Sequence, residues 1–395
     1  DGRSRPSAEV PTSHFPLPTS RLGRPWPTPE QALLLRASLG DSEEALAAWE
    51  AWRAATDLDR LDGGSFQLLP LLYRNLVRLG IGEAAPDFGR LRGVYRLTWY
   101  KNRVGIAHLA TLIGQLDAAG IPTMVLKGAA LLALYYRDHG ARGMGDCDLL
   151  VPVARAREAL AVVERHGWSP EIPDPTRWLA ASSSVGFSGP AGTALDFHWH
   201  PLWEIGAPDA DGPLWARAQP ATIGGAATLA PAPSDLLLHV CVHGARWHPS
   251  PPFRWVADAL VILRESGDAL DWASLVAEAE RLHLVMPMRA TLRYLRRRWH
   301  APVPEWVLTH LRALPVAPTL RLEYVAHQRP RGLWQKALIA WSHARRAVGY
   351  DHPLRAVAIL PARLQALWGL EHPWQIPAHA IRVGRLRRAG MKGEG

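Results

Sequence analysis

The feature that most constrains this chain is a change of texture in its middle. On either side, apolar residues recur at helical spacing; between residues 120 and 200 they fall into short β-capable runs. Three such runs are expected to be strands, at 122–126, 145–151 and 193–199. Helices should intervene at 128–136, opening on Gly128, and at 152–166, where Pro152 suits a first turn and Gly167 a stop. The Ser- and Gly-rich stretch 182–192 reads as a loop or hairpin. Upstream, a helix opens at Pro29 with Thr28 as its cap, and helical spacing continues over 44–54, 68–79 and 91–119. Downstream it resumes at 235–246 behind Ser234, then at 253–265, 272–282 and 286–299. The fold class is therefore α+β, a small mixed β-sheet flanked by N-terminal and C-terminal helical regions. The expected divisions are an extended or disordered start (1–25), a helical region (26–119), an α/β core (120–233), a C-terminal helical domain (234–380) and a basic tail (381–395).

A length of 395 residues allows two or three packed units. The 48% hydrophobic and 21% charged fractions are those of a globular protein. No strongly apolar run reaches the length of a membrane-spanning helix. The start is interrupted by Pro6, Pro11, Pro16, Pro18 and Pro25 and lacks the apolar segment of a secretory signal. The two cysteines, Cys147 and Cys241, make no disulfide framework, so a cytoplasmic setting is the expectation. A net charge of +9 favours an anionic partner: nucleotide, nucleic acid or acidic peptide. The excess of Arg over Lys also arises from composition bias, so charge alone leaves nucleic-acid binding open.

The chemistry is concentrated in the central runs. Asp146 and Asp148 are two apart, and on a strand both would face the same side. Two adjacent carboxylates repel, and a divalent cation relieves this. Leu149, Leu150 and Val151 follow, so the pair belongs at the mouth of a buried strand. Asp196 has a similar setting, and a neighbouring strand would bring it in as a third carboxylate, the minimum for two metal ions. Lys127 and Gly128 lie where a strand turns into a helix, which presents backbone N–H groups and lets a triphosphate approach closely. Lys127 or Arg142 would neutralise phosphate charge. Alone, two aspartates at this spacing are more often a solvated turn; the order strand, glycine, helix, paired aspartates, later aspartate is far more specific.

Together Leu126, Lys127, Gly128, Tyr135, Arg142, Asp146 to Val151, and Asp196 to His198 resemble the polymerase-β-like nucleotidyltransferase superfamily. More narrowly they resemble the uncharacterised nucleotidyltransferases known as nucleotidyltransferase family 5. The flanks fit as well: Leu68 to Tyr73, Asp235 to His239 with His243, and Trp255 to Asp258. The resemblance implies an enzyme that transfers a nucleoside monophosphate from a nucleoside triphosphate such as ATP. The acceptor would be a hydroxyl-bearing or phosphorylated small molecule, peptide, protein or RNA. It further implies Mg²⁺, with two ions expected and Mn²⁺ an alternative, on Asp146, Asp148 and Asp196 as catalytic ligands. Lys127, Gly128, Arg142 and His198 would contact the donor. One departure stands out: Ala129 follows Gly128 where the superfamily usually has Gly or Ser. That keeps open a nucleotide-sugar donor, or a non-catalytic module for a nucleotide or phosphopeptide.

Other residues carry weaker signals. His198 should share the face of Asp196, and a structural role for it is equally consistent. His239, His243 and His248 lack the glutamate of the metalloprotease pattern and suit helix packing near a cleft better than zinc. Cys147 should point to the core. Arg254 and Asp258, four apart, should form an ion pair on one helix. Arg296, Arg297 and Arg298 read as a solvated face.

Overall fold

The computed structural model describes residues 25–382 except 42, 208–209, 249–252, 330–332 and 351. The expectations for the extended start and the basic tail fall almost wholly outside the described residues. The N-terminal helices are α1 (Pro29–Leu39), α2 (Glu43–Ala55), α3 (Gly63–Phe66), α4 (Leu69–Arg78) and the long α5 (Phe88–Ala118). Thr28 caps α1 reciprocally with Gln31, and Pro29 fits the first turn, where no N–H is needed. Leu91, Ile106, Leu109, Leu112, Ile113 and Leu116 give α5 its buried stripe. Gly120, at φ +66°, turns the chain out of the helix as its position in the sequence suggested.

The core follows as β1 (Met124–Val125), α6 (Lys127–Leu131), β2 (Cys147–Leu150), α7 (Ala156–Arg165), β3 (Ser169–Pro170), β4 (Ser184–Ser188), β5 (Ala194–His198), α8 (Gly212–Arg217), β6 (Gln219–Ile223) and β7 (Ala226–Ala230). The strands form one mixed sheet in the order β3-β4-β5-β2-β1-β7-β6. β2 runs parallel to β5 and antiparallel to β1, while β1 runs parallel to β7. The three expected strands are its centre; the remaining four widen it. The stretch 182–192 contains β4, which forms an antiparallel hairpin with β5, so its hairpin alternative is the one realised. β6 and β7 were not anticipated at all. They join through Gly224 and Gly225, both at positive φ, the two-residue turn that matches sheet twist.

Period-two alternation splits the central strands between two faces. Cys147, Leu149, Leu195 and Phe197 enter the main core, together with the buried residues of α5 and α7. Met124, Leu126 and Leu150 face the other way, in a small cluster with Leu214 of α8. Asp148, Asp196 and His198 share the parity of Leu150 and so lie on this second face.

The C-terminal helices are α9 (Pro233–Gly244), α10 (Arg254–Ser266), α11 (Trp272–Arg281), α12 (Val285–Trp299), α13 (Glu305–Ala313), α14 (Pro318–His327), α15 (Leu333–Val348) and α16 (Pro353–Leu367). The main apolar cluster is continuous from Leu34 in α1 to Val316, just before α14, with Leu320 of α14 packed against its end. Beyond it, α14 and α15 are tied back by buried charges. Arg346 of α15 donates to Oε1 of Glu323 in α14 at 2.9 Å and to the carbonyl of Glu204 at 3.1 Å, and Glu204 itself pairs with Arg246.

Burial alone would raise the Glu204 carboxyl, but Arg246, then His327 and Arg346, outweigh it and hold the group down at about 2. A carboxyl depressed in the folded state stabilises fully above its free value of 4.5 and loses that contribution as pH falls toward about 2. The loss is expected to be on the order of 3 kcal/mol. Tryptophan fluorescence during acid titration should show it, and Glu204→Gln should flatten the curve in that window. An unchanged acid limb in the variant would contradict the assignment. No helix among the described residues is long and apolar enough to cross a membrane.

Candidate active site

Register builds the centre of the site. In the parallel pair β2/β5, Asp148 is matched with Asp196 and Leu150 with His198. Side chains on matched positions of neighbouring strands share a face, so the two carboxylates and the ring of His198 converge. Asp148 is almost fully buried, at 2% exposure. Its Oδ1 lies 2.5 Å from Nζ of Lys127 and 3.2 Å from Nε2 of His198. Asp196 places Oδ2 at 2.9 Å from the same Nε2 and 3.8 Å from Nζ.

The protonation pattern follows from these partners. Nδ1 of His198 is 3.2 Å from the carbonyl oxygen of His200, which can only accept, so Nδ1 carries a proton. Nε2 faces two carboxylates and carries another. Burial would lower the pKa of the ring, but Asp196 and Asp148 outweigh it and raise it to about 9. Burial would likewise raise the Asp148 carboxyl, yet Lys127 first and His198 next hold it well below the usual range. Asp196 is lowered on the same balance, with His198 as the main opposing charge. The centre is thus two ionised carboxylates neutralised by an ammonium and an imidazolium.

Lys127 reaches this position from an unusual backbone. It is the first residue of α6 and sits at φ +37°, in the left-handed region that side chains other than glycine seldom adopt. Backbone strain of this kind persists where surrounding structure fixes it, and it clusters at functional sites. Immediately after it, a Cβ on Gly128 would be tight, lying 3.0 Å from both Nη1 of Arg142 and Cγ of Met144, so that these side chains would have to give way. The glycine therefore serves the close approach of Arg142 and Met144 to the turn.

Asp146 lies just before β2 and takes no part in the compact group. Oxygen atoms of Asp148 and Asp196 and a nitrogen of His198 all lie within 4.8 Å of one another, close enough to hold one ion; Asp146 stands outside this set. It is solvent-accessible, yet it lines the cleft amid dense protein. That partial desolvation first, and the charge of Asp148 second, push its carboxyl above the usual value. Cys147 faces the core as expected, and burial lifts its thiol to about 12, so it is no nucleophile.

A cleft of about 680 Å³, counting the solvent at its mouth, opens above this centre. Lys127, Gly128, Arg142, Asp146, Asp148, His239 and Arg254 are among its lining residues. Arg142 is buried and forks onto Asp258, with Nε to Oδ1 at 2.8 Å and Nη2 to Oδ2 at 2.9 Å. Tyr136 donates to Oδ1 at 2.9 Å. It does so from the end of a π-turn, Leu132–Tyr136, that extends α6. The expected pair on one helix, Arg254 with Asp258, is not the pair that forms among the described residues: Asp258 is taken by Arg142 from across the cleft. Arg254 instead donates Nη1 to the carbonyl of Gly143 at 2.9 Å. His239 and His243, one turn apart on α9, also line the cleft and belong to no metal-sized group among the described residues. Burial first, and Lys127 next, lower His239 to about 3, so its ring is neutral.

The sequence reading thus located Lys127, Gly128, Arg142, Asp146, Asp148, Asp196 and His198, and all except Asp196 and His198 line the cleft itself, those two joining it through Asp148 and Lys127. It missed the Arg142–Asp258–Tyr136 support, because nothing in the local spacing ties α10 to a loop 116 residues earlier. Lys127 and Arg142, expected on phosphate, are both engaged with carboxylates.

The cleft above the register-paired aspartates is thus lined by Lys127, Arg142 and Arg254 set against Asp146, Asp148 and Asp258. The chain belongs to the uncharacterised nucleotidyltransferase family, which matches it over residues 65–300. The match runs from α3 to the end of α12 and so includes every residue of the site. No curated protein matches the chain significantly.

Proposed function

We propose that the protein is a Mg²⁺-dependent enzyme that moves a nucleoside monophosphate from a nucleoside triphosphate to a hydroxyl-bearing or phosphorylated acceptor. The observation that carries this reading is the register match of Asp148 with Asp196 at the foot of a cleft lined by Lys127, Arg142 and Arg254. The donor set suits a hard divalent ion: Asp148 and Asp196 are two carboxylates that stay ionised. Such an ion, when bound, neutralises phosphate charge and acidifies the attacking hydroxyl. Asp146 would serve a second ion together with Asp148.

The chain's own residues divide the remaining work. Lys127 and His198 hold the carboxylates ionised and aligned when no donor is present. With a cation held by Asp148 and Asp196, the Lys127 ammonium would be free to turn toward donor phosphate. His198 keeps its Nδ1–H on the carbonyl of His200, so the ring stays oriented throughout. The acceptor hydroxyl attacks the α-phosphate in line, its proton passing to Asp196, and pyrophosphate leaves. Residues 120–233 supply this machinery, and α9 and α10 form the opposing wall.

A melting-temperature screen tests the reading. ATP, GTP, CTP, UTP and nucleotide-sugars are each added with and without Mg²⁺. A ligand at a hundred times its Kd stabilises by roughly 2.7 kcal/mol. At least one triphosphate should raise the melting temperature, and only when Mg²⁺ is present. A shift confined to nucleotide-sugars, or no shift at all, would overturn the named chemistry.

A further inference from the structure

We propose that Arg254 is the anchor for the donor's polyphosphate tail, an inference that rests on the nucleotidyl-transfer reading above. Three cations line the cleft, and two are already committed. Lys127 is bound to Asp148 and Asp196, and Arg142 forks onto Asp258. Arg254 is half-buried, and among the described residues it forms no ion pair, Asp258 being held by Arg142. Its one described hydrogen bond, to the carbonyl of Gly143, leaves the rest of its five N–H groups for something else.

Its position makes the lack of a counter-ion costly in three ways. It is the first residue of α10, where the helix dipole disfavours a cation. It neighbours the buried Arg142, and burial first and that like charge second lower it to about 10, outweighing the opposite charges of Asp258 and Asp146, neither of which is in ion-pair contact with it. Its i+4 partner on the helix, Asp258, faces two other donors. A bound anion removes all three penalties together. The planar fork of an arginine matches phosphate oxygens in pairs, which a lysine cannot do.

The surroundings select polyphosphate over a simple carboxylate. Gly143 belongs to the loop that leads to Asp146 and Asp148, so the Arg254–Gly143 bond ties the start of α10 to the proposed metal ligands. A triphosphate whose α-phosphate lies at those aspartates must extend its β- and γ-phosphates further along the same cleft. His239 lines that cleft too, with Nε2 buried and unpartnered among the described residues. Its neutral ring can donate an N–H to a phosphate oxygen without bringing another charge into the wall. Arg142 then acts as a positioning residue whose task is to occupy Asp258, so that Arg254 stays available.

Calorimetric titration of Mg²⁺-tripolyphosphate, and separately of Mg²⁺-ATP, into the full chain tests this. The wild type should bind both, and Arg254→Gln should weaken both by roughly ten- to a hundredfold. Equal affinities in the folded variant would overturn the anchor role while leaving the nucleotidyltransferase reading intact. Absence of binding to either ligand in the wild type would sink that reading itself and the anchor with it. Should Arg254→Gln fail to fold, phenylglyoxal labelling of the wild type replaces it, read by mass spectrometry. Mg²⁺-tripolyphosphate should shield Arg254 severalfold, and unchanged labelling would overturn the proposal.

Discussion

Asp148→Asn is expected to lower Mg²⁺-dependent turnover of a nucleoside triphosphate by at least roughly a thousandfold. The side chain keeps its shape and loses its charge. Two cations, Lys127 and His198, then face one remaining carboxylate, Asp196, and a divalent ion meets net positive charge where it had met a balanced set. Metal affinity should therefore fall along with rate. Release of pyrophosphate measures the first, and the electron paramagnetic resonance signal of free Mn²⁺ the second. Near-ultraviolet circular dichroism checks the fold, since a half-buried ammonium that loses its nearer partner also destabilises the strand–helix turn. A folded variant that turns over within threefold of the wild type would remove Asp148 from the mechanism. Asp196→Asn is the companion case: Asp196 is more exposed, so a similar loss of rate should come with less loss of stability.

How far the sequence carried this picture depends on the range of each interaction. The shared face of Asp196 and His198 was legible because strand parity is local, whereas the same argument applied to Asp146 and Asp148 did not hold because β2 begins only at Cys147. The union of Asp148 with Asp196 was legible only as a possibility, since it depends on β2 and β5 becoming neighbours across 48 residues. The hairpin of β6 and β7 went unseen because Gln219–Ile223 and Ala226–Ala230 are rich in alanine and carry Pro220, with only Thr222, Ile223 and Thr228 β-branched and no aromatic residue. Its signal was present in Gly224 and Gly225, a turn pair that permits positive φ twice in succession. β4 was hidden by its serines and glycine, which a strand near the sheet edge tolerates. The left-handed backbone at Lys127 had no local signature whatever, because the tertiary structure imposes it against the preference of the residue.

The charge wiring of the cleft was the part most misjudged, and it supports the second large effect. On an isolated helix Arg254 and Asp258 would pair at i, i+4, a contact worth only a few tenths of a kcal/mol. Tertiary structure offers Asp258 a better partner. Arg142 approaches with two parallel N–H groups in a site where both side chains are about 6% exposed, and Tyr136 completes the shell with its hydroxyl. Burial first, then Asp258, lift that hydroxyl well above its ordinary value, so it remains a donor. Asp258→Asn is therefore expected to cost roughly 3–5 kcal/mol, because it leaves Arg142 buried beside Arg254 with no other carboxylate in ion-pair contact among the described residues. Urea denaturation measures the loss. The double variant Arg142→Met with Asp258→Asn should recover part of it, since the unpaired charge causes more of the damage than the missing bonds do. If the double variant is the less stable of the two, charge is not what the pair contributes. Donor affinity should fall in Asp258→Asn as well. Nη1 of Arg142 abuts Gly128, and an Arg142 released from its fork is free to move against the turn that Lys127 and Gly128 form at the foot of the cleft. One substitution on α10 would then loosen both walls of the cleft, and that joint loss separates a supporting carboxylate from one that merely holds a helix in place.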